Sequence, residues 1–372
     1  MKCVLFTLII LLCSCLQSGA QELPPGFGLE MNGYAGKILK HTKNFKAPVP
    51  ELSTGLELNF LWQTYGKKPW QQRRGFPLLG FGIGYTDYGI DSIFGKCISF
   101  YPNIQLRIIS GRKLEWTAKA GFGIGYMTRH YKRAPDWDTI NNAIGSHFNN
   151  FTIFSSDLRL HVSKHLDLQL GAHFTHVSNG ALRVPNLGLN FYGLHAGIRY
   201  FPVTGSPDRI MRKMAPIRNR WLGQLRVGLA GTEGGVINGP LYPVYLASAF
   251  VSRRYHSHNK LLIGLDYSYH KSTEAFLKNN EIFPGEEGRH SWKGGLFAAN
   301  EFLVGRVGIV LQAGYYLNES ALKLERFYQK LGGNLYLVQR EKGALKEMFV
   351  SILLKTHKTQ AELAELGMGI GF

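Results

Sequence analysis

Three residues near the middle of the chain have the types and spacing of a base-activated nucleophile. His176 precedes Ser178 by two positions, and Asn190 lies twelve positions beyond the serine. Residues two apart share one face of a β-strand, so His176 can accept the proton of the Ser178 hydroxyl. The Asn190 amide oxygen can accept a hydrogen bond from the other ring nitrogen and fix the tautomer. We therefore expect Ser178 as nucleophile, His176 as general base and Asn190 as the residue that orients the base.

The segments carrying these residues alternate in polarity with the period of a strand. Apolar residues on the same face as His176 and Ser178 are Leu168, Leu170, Ala172 and Phe174. Apolar residues on the same face as Asn190 are Tyr192, Leu194, Ala196, Ile198 and Tyr200. In a membrane barrel the apolar sets face lipid, which places the three polar residues on the lipid side at one rim. Polar groups there are costly unless they bond to one another. The shared parity therefore favours a functional cluster over ordinary interfacial side chains.

The composition predicts an all-β membrane protein. No segment after the N-terminal region has the run of about 18 apolar residues that a membrane helix needs. The chain has 44 glycines, 23 phenylalanines and 18 tyrosines in 372 residues. The hexapeptide Gly80–Tyr85 recurs at Gly121–Tyr126, with apolar residues on one face and glycines on the other. The closing segment Leu366–Phe372 alternates and ends in an aromatic residue, and so resembles the last strand of outer-membrane barrels.

We expect a closed antiparallel transmembrane β-barrel of about 16 strands, within a range of about 12–16. In this interpretation residues 21–372 form one barrel, and the segment 202–219 is an unusually long turn on its periplasmic side. Turns are short at one end and loops longer at the other, which is the asymmetry of bacterial barrels with both termini in the periplasm.

The N-terminal region has the features of an export signal. Lys2 is followed by the apolar run Val4–Leu12 and by the small residues Ser18 to Ala20, which predicts residues 1–20 as a signal peptide cleaved after Ala20. Lipoprotein processing at Cys15 is the alternative. Cleavage after Ala20 leaves Cys97 as the only cysteine, so no disulfide is expected. The predicted location is the bacterial outer membrane.

The formal net charge of +18 indicates an anionic partner. For an exported barrel that partner is a phosphate-bearing lipid surface, and no motif for nucleic acid is present. No zinc, nucleotide or haem pattern occurs, so no cofactor and no metal are expected. The sequence does not indicate an oligomeric state.

The central motif resembles the active-site segment of outer-membrane lipid A 3-O-deacylases of the PagL type (acyloxyacyl hydrolases). The resemblance rests on His176-Val-Ser178-Asn179-Gly180 and on Pro185-Asn186-Leu-Gly188. It implies a barrel esterase facing the outer leaflet, with Ser178 and His176 in the roles given above. It also implies that the Asn186 side chain and a backbone amide near Gly180, next to Asn179, stabilise the oxyanion. That family has a glutamate where this chain has Asn190.

Outer-membrane phospholipase A is similar at the same three residues and has an asparagine at the position of Asn190. In that family an arginine used around a calcium site usually follows the glycine, whereas this chain has Ala181. We expect hydrolysis of an ester-linked acyl chain of lipid A. The alternatives are a phospholipase A, and a non-catalytic channel or transporter, for which a wide lumen with a basic interior is the cue.

Overall fold

The computed structural model describes residues 24–135, 137, 140–203, 208–214, 220–318, 325–358 and 360–372, and in these residues sixteen antiparallel strands close into two barrels of eight strands. The first barrel contains β1 (Phe27–Ile38), β2 (Ser53–Gln63), β3 (Leu78–Asp87), β4 (Lys96–Ser110), β5 (Leu114–Met127), β6 (Phe148–His161), β7 (Leu166–Ser178) and β8 (Leu189–Tyr200). The second contains β9 (Trp221–Thr232), β10 (Tyr242–Arg254), β11 (Asn259–His270), β12 (Trp292–Val304), β13 (Val307–Tyr316), β14 (Phe327–Gln339), β15 (Glu347–His357) and β16 (Gln360–Gly371).

The predicted all-β antiparallel class and the count of sixteen strands are confirmed, but the prediction of one barrel over residues 21–372 is wrong. β8 returns to pair with β1, from Leu29 opposite Tyr200 to Ile38 opposite Phe191. β16 pairs with β9, so the second sheet also closes on itself. The segment 202–219, expected to be a long turn, is the connection between the barrels. The proposed signal peptide, residues 1–20, lies outside the described residues.

The inside of the first barrel is filled by paired charges. The ammonium group of Lys119 lies 2.8 Å from Glu57 and 3.5 Å from Glu30, and all three side chains are almost fully buried. The ring of Tyr101 occupies the space that a side chain at Gly82 or Gly121 would need. The glycines of the two repeated hexapeptides therefore face inward, as their alternation predicts, because large side chains from neighbouring strands fill a narrow lumen.

The second barrel is filled in the same way. Lys330 lies 3.0 Å from Asp266 and 2.8 Å from Glu365, and Glu365 also accepts a hydrogen bond from Arg226 at 2.8 Å. An eight-stranded barrel is just wide enough for its own side chains. The wide lumen that would indicate a channel is therefore not found in either barrel as described.

Short helical segments occur outside the barrel walls. They are α1 (Pro69–Arg73), between β2 and β3, and α2 (Lys271–Asn279), between β11 and β12, followed by a 3₁₀ turn at Arg289–Ser291. The helix at Lys271–Asn279 begins directly after the last residue of β11. Among the described residues, no helix is both long enough and apolar enough to cross a membrane.

The two barrels contact each other at both ends. We call the end that carries the connections after β1, β3, β5 and β7 the loop end, and the opposite end the turn end. At the turn end, Arg74 donates to the carbonyl oxygen of Leu303 at 2.6 Å, and a Cβ atom at Gly305 would lie 2.8 Å from the indole nitrogen of Trp70. At the loop end, the segment after β7 lies against the outer face of the second barrel, as described below.

The charge pairs inside the first barrel should be essential to its stability. We expect Lys119→Met to lower the free energy of unfolding by about 3–5 kcal/mol, because it leaves Glu57 and Glu30 buried without their cation. Chemical unfolding in detergent micelles measures this. Lys113→Met, at an exposed position near the turn end, is the control. Equal stability of the two variants would contradict a structural role for the buried cation.

Candidate active site

The structure brings His176, Ser178 and Asn190 into one hydrogen-bonded row. The Ser178 hydroxyl lies 2.8 Å from Nε2 of His176, and Nδ1 of His176 lies 2.7 Å from Oδ1 of Asn190. In the direction required for catalysis, the hydroxyl donates to Nε2 and Nδ1–H donates to the amide oxygen. The row forms because His176 on β7 and Asn190 on β8 are directly opposite one another in the sheet.

The row lies on the outer face of the first barrel. Val177, between the two β7 residues, is fully buried in the inner core, so His176 and Ser178 point the other way. The neighbouring outward positions Leu168 and Leu170 are exposed apolar side chains. Ser178 itself is only 5% exposed. The Ser178 hydroxyl is therefore a covered group at the end of a lipid-facing apolar stripe.

His41 extends the row and was not identified from the sequence. The amide nitrogen of Asn190 lies 2.9 Å from Nδ1 of His41, a half-buried residue beyond β1. The backbone prepares this contact, because the amide of Leu39 donates to the carbonyl of Asn190 at 2.8 Å. A side-chain amide has one acceptor atom, its oxygen, and one donor atom, its nitrogen. Because the nitrogen of Asn190 donates to His41, the oxygen of Asn190 faces His176. In the sequence, His41 has the same parity as the outward-facing residues of β1. This parity indicates a contact with Asn190 only once β1 is known to pair with β8.

The residues predicted to hold an oxyanion lie in the loop after β7. The side-chain oxygen of Asn186 accepts a hydrogen bond from the backbone amide of Asn179 at 3.0 Å. The side-chain nitrogen of Asn186 is buried and has no hydrogen-bond partner among the described residues. Buried donors are nearly always bonded, so a free one in this position is available to a ligand. The amide of Asn179 is already bonded to Asn186, and the Asn186 side-chain nitrogen is a free donor in this loop.

Two glycines shape this loop. Gly180 has φ +65°, and a Cβ atom there would lie 2.7 Å from Cβ of Ala364 on β16. Gly188 has φ +82°, and a Cβ atom there would lie 2.7 Å from Cε1 of His176. A larger residue at either position would meet both backbone strain and a clash. These glycines let the loop pass close to the imidazole on one side and to the second barrel on the other.

Ser146 also supports the loop, a role that was not predicted from the sequence. Its hydroxyl lies 3.0 Å from the side-chain nitrogen of Asn179, which also donates to the carbonyl oxygen of Arg183 at 3.0 Å. Asn179 therefore ties together the segment before β6 and the loop after β7. No group of three or more His, Cys, Asp or Glu side chains in the described part of the chain is arranged to hold a metal ion.

Comparison with protein families agrees with this arrangement. Residues 53–199 match the family described as lipid A 3-O-deacylase (PagL), and residues 220–372 match the family described as the C-terminal domain of acyloxyacyl hydrolase. Both barrels match PagL-type families. The first match covers the whole row from His176 to Asn190, and the second covers all of β9 to β16. The two matches together cover most of the chain, and they confirm the predicted resemblance to PagL-type lipid A 3-O-deacylases and acyloxyacyl hydrolases.

Several solved structures of outer-membrane proteins align with this chain. The outer-membrane enzyme PagL is 20% identical and aligns over 46% of this chain and 97% of its own, with a TM-score of 0.31. Neisserial surface protein A is 13% identical over 47% of this chain and 96% of its own, with a TM-score of 0.32. An outer-membrane channel from Pseudomonas putida F1 is 10% identical and aligns over 95% of this chain and 98% of its own, with a TM-score of 0.22. Among curated proteins, none matches the chain.

His41 should matter only while residue 190 is an amide. We expect His41→Ala to lower the hydrolysis rate about fivefold, the effect of losing about 1 kcal/mol of hydrogen bonding that fixes the Asn190 amide. A carboxylate has two equivalent oxygens and needs no such partner. The same change in an Asn190→Asp background should therefore cost less. Steady-state rates of the four proteins measure this, and equal losses in both backgrounds would mean that His41 only supports the loop.

Proposed function

We propose that this protein is a serine esterase that removes an ester-linked acyl chain from lipid A. The observation that carries the proposal is the row Ser178, His176 and Asn190, bonded at 2.8 and 2.7 Å on the lipid-facing side of a PagL-type barrel. A water-soluble substrate would not require a nucleophile at the end of an apolar stripe. An acylated lipid has its ester at the boundary between headgroup and acyl chains, where such a rim lies. The loop end would then face the outer leaflet.

The proposed reaction follows acyl transfer by a serine. Ser178 attacks the ester carbonyl carbon while Nε2 of His176 takes the hydroxyl proton, and His176 then gives that proton to the leaving alkoxide. Water attacks the resulting acyl-enzyme by the same route and releases the fatty acid. Asn190 holds the imidazole with Nδ1 protonated and Nε2 free to act as base. The free Nδ2 of Asn186 would donate to the oxyanion, a contribution typically worth about 3–4 kcal/mol.

The neutral amide at position 190 distinguishes this site from one with an acid. An amide oxygen orients the imidazole, but it stabilises the imidazolium less than a carboxylate does. Cysteine proteases show that asparagine can serve as the third member of such a set. Here the second amide contact, to His41, gives the asparagine a fixed orientation.

Phospholipase A activity is the second candidate. Asparagine twelve positions after the serine is the arrangement that this chain has in common with outer-membrane phospholipase A. The residue after Gly180 is Ala181, so the arginine of that family is missing. Parallel hydrolysis assays with purified protein on lipid A and on a glycerophospholipid distinguish the two substrates. Conductance in planar bilayers without hydrolysis would instead favour the channel alternative.

Loss of the nucleophile should abolish hydrolysis without unfolding the barrel. We expect Ser178→Ala and His176→Ala each to lower the rate by at least about 10⁴-fold, because the two act as a unit, and Asn190→Ala to cost less. Mass spectrometry of lipid A after incubation with each purified variant measures the activity. Heat-modifiable migration in gels checks the fold. Ser163→Ala, in an exposed turn, is the matched control, and full activity of Ser178→Ala would end the esterase proposal.

A carboxylate at position 190 should increase the rate. We expect Asn190→Asp to raise kcat about tenfold, because the side chain keeps its length and the charge stabilises the imidazolium that forms during attack. Asn280→Asp adds the same charge at an exposed position after α2, where the Asn280 side chain bonds to the carbonyl of Phe276. A lower rate in Asn190→Asp, with Asn280→Asp unchanged, would mean that the site depends on the amide as phospholipase A does.

A further inference from the structure

Two arginines, one of them in the loop that follows Ser178, share one carboxylate that comes from the second barrel. Nη1 of Arg183, in the loop after β7, lies 2.6 Å from Oε1 of Glu233, and Nη1 of Arg133 lies 2.6 Å from the same oxygen. The other oxygen of Glu233 accepts the backbone amide of Val184 at 2.8 Å. Glu233 directly follows β9, so residues of both barrels build this cluster, which we call the rim arginine pair.

The rim arginine pair keeps an excess of positive charge. The Glu233 side chain is completely buried. Burial disfavours its charged form, but hydrogen bonds from Arg133, Val184 and Arg183 outweigh that effect and hold the pKa of Glu233 below its ordinary value. The carboxylate is therefore ionised at neutral pH and loses its charge only below the usual range of a glutamate. Among the described residues, two guanidinium groups and one carboxylate leave this cluster with an excess of positive charge.

The arginines still have donors to offer. Each guanidinium has five N–H donors. Arg133 donates to Glu233 through both Nη1 and Nη2, and its Nη2 also donates to the carbonyl oxygen of Val184. Arg183 donates to Glu233 through Nη1. The Arg183 side chain is 42% exposed and that of Arg133 is 25% exposed. Two like charges held together repel, and an anion with several oxygens relieves that repulsion through bidentate bonds.

The position of the pair relative to the nucleophile is fixed by the loop. The carbonyl oxygen of Arg183 accepts a hydrogen bond at 3.0 Å from the side chain of Asn179, the residue after Ser178. On the opposite side, Leu182 packs on Gly231 of β9, where a Cβ atom would lie 3.1 Å from its methyl group. An anion bound at the pair would therefore be held at a constant place beside the reacting ester.

We propose that Arg133 and Arg183, held by Glu233, bind a phosphate monoester on the headgroup of the lipid whose acyl chain is removed. This inference rests on the proposed esterase function and specifies the substrate class for the same site. It also gives the second barrel a role, because Glu233 supplies the anchor without which the two cations would not stay together. Arginine pairs suit phosphate because their planar forks match its oxygens.

The test compares one lipid with and without its phosphate groups. Lipid A and the same lipid A after phosphatase treatment are presented in identical detergent micelles, and kcat/KM is measured for each. The wild-type protein should prefer the phosphorylated form, and Arg183→Gln should lower that preference about tenfold, the effect of one charge-assisted contact. Arg289→Gln, an 82% exposed arginine at the loop end, is the matched control and should keep the preference.

The outcomes separate headgroup binding from support of the loop. An equal loss on both substrates in Arg183→Gln would overturn the proposal, since a displaced loop lowers every rate alike. A wild-type protein without preference would also overturn it. Inorganic phosphate should lower the preference only at concentrations at which it competes for the two arginines; loss of the preference without any lipid headgroup binding to Ser178→Ala protein would mean that the site takes free phosphate only. Glu233→Gln should lower the preference with Arg183 still present, as the pair loses its anchor.

A binding measurement keeps this inference independent of catalysis. Ser178→Ala protein should bind the phosphorylated lipid more tightly than the dephosphorylated lipid, and Arg183→Gln in that background should remove the difference. If Ser178→Ala retains full hydrolysis, the proposed serine mechanism fails, while binding measurements still test the headgroup site. If binding shows no dependence on phosphate, the headgroup site fails whether or not the esterase stands.

Discussion

Closure of each sheet is the constraint on which the rest of the structure depends. In a bilayer every backbone amide and carbonyl must be paired, and an antiparallel sheet achieves this only when its last strand meets its first. β8 meets β1 and β16 meets β9. Closure at eight strands makes both lumina narrow, so buried charge pairs such as Lys119 with Glu57 fill them and leave the chemistry to the outer surface.

Closure also assembles the candidate site. The row from Ser178 to Asn190 needs only the neighbouring strands β7 and β8, but its extension to His41 needs β1 on the other side of β8. Polar groups on a lipid-facing surface lose their hydrogen bonds to water, which is unfavourable. In this row the loss is offset because each ring nitrogen and amide atom bonds to the next. The atoms that satisfy one another are the same atoms that would move a proton.

The second barrel acts on this site through the loop after β7. That loop has little room, because Gly180 lies against Ala364 and Leu182 lies against Gly231, two small residues on the outer face of the second barrel. Glu233 then fixes the loop by hydrogen bonds to Val184 and to two arginines. Contacts from both barrels therefore hold this loop, including the Asn186 side chain that we propose as oxyanion donor, in one position.

The sequence by itself determined the strands and the parity of the site. Alternation with period two identified sixteen strands and placed His176, Ser178 and Asn190 on one outer face, because these are local properties of neighbouring residues. The alternation of a strand is the same in a barrel of eight or of sixteen, so it could not determine where the sheets close. Only the tertiary structure decided that β1 lies beside β8, which brings His41 to Asn190, and that a separate second barrel brings Glu233 to Arg183. Both contacts join residues far apart in the chain, and their formation depends on closure and docking rather than on local pattern.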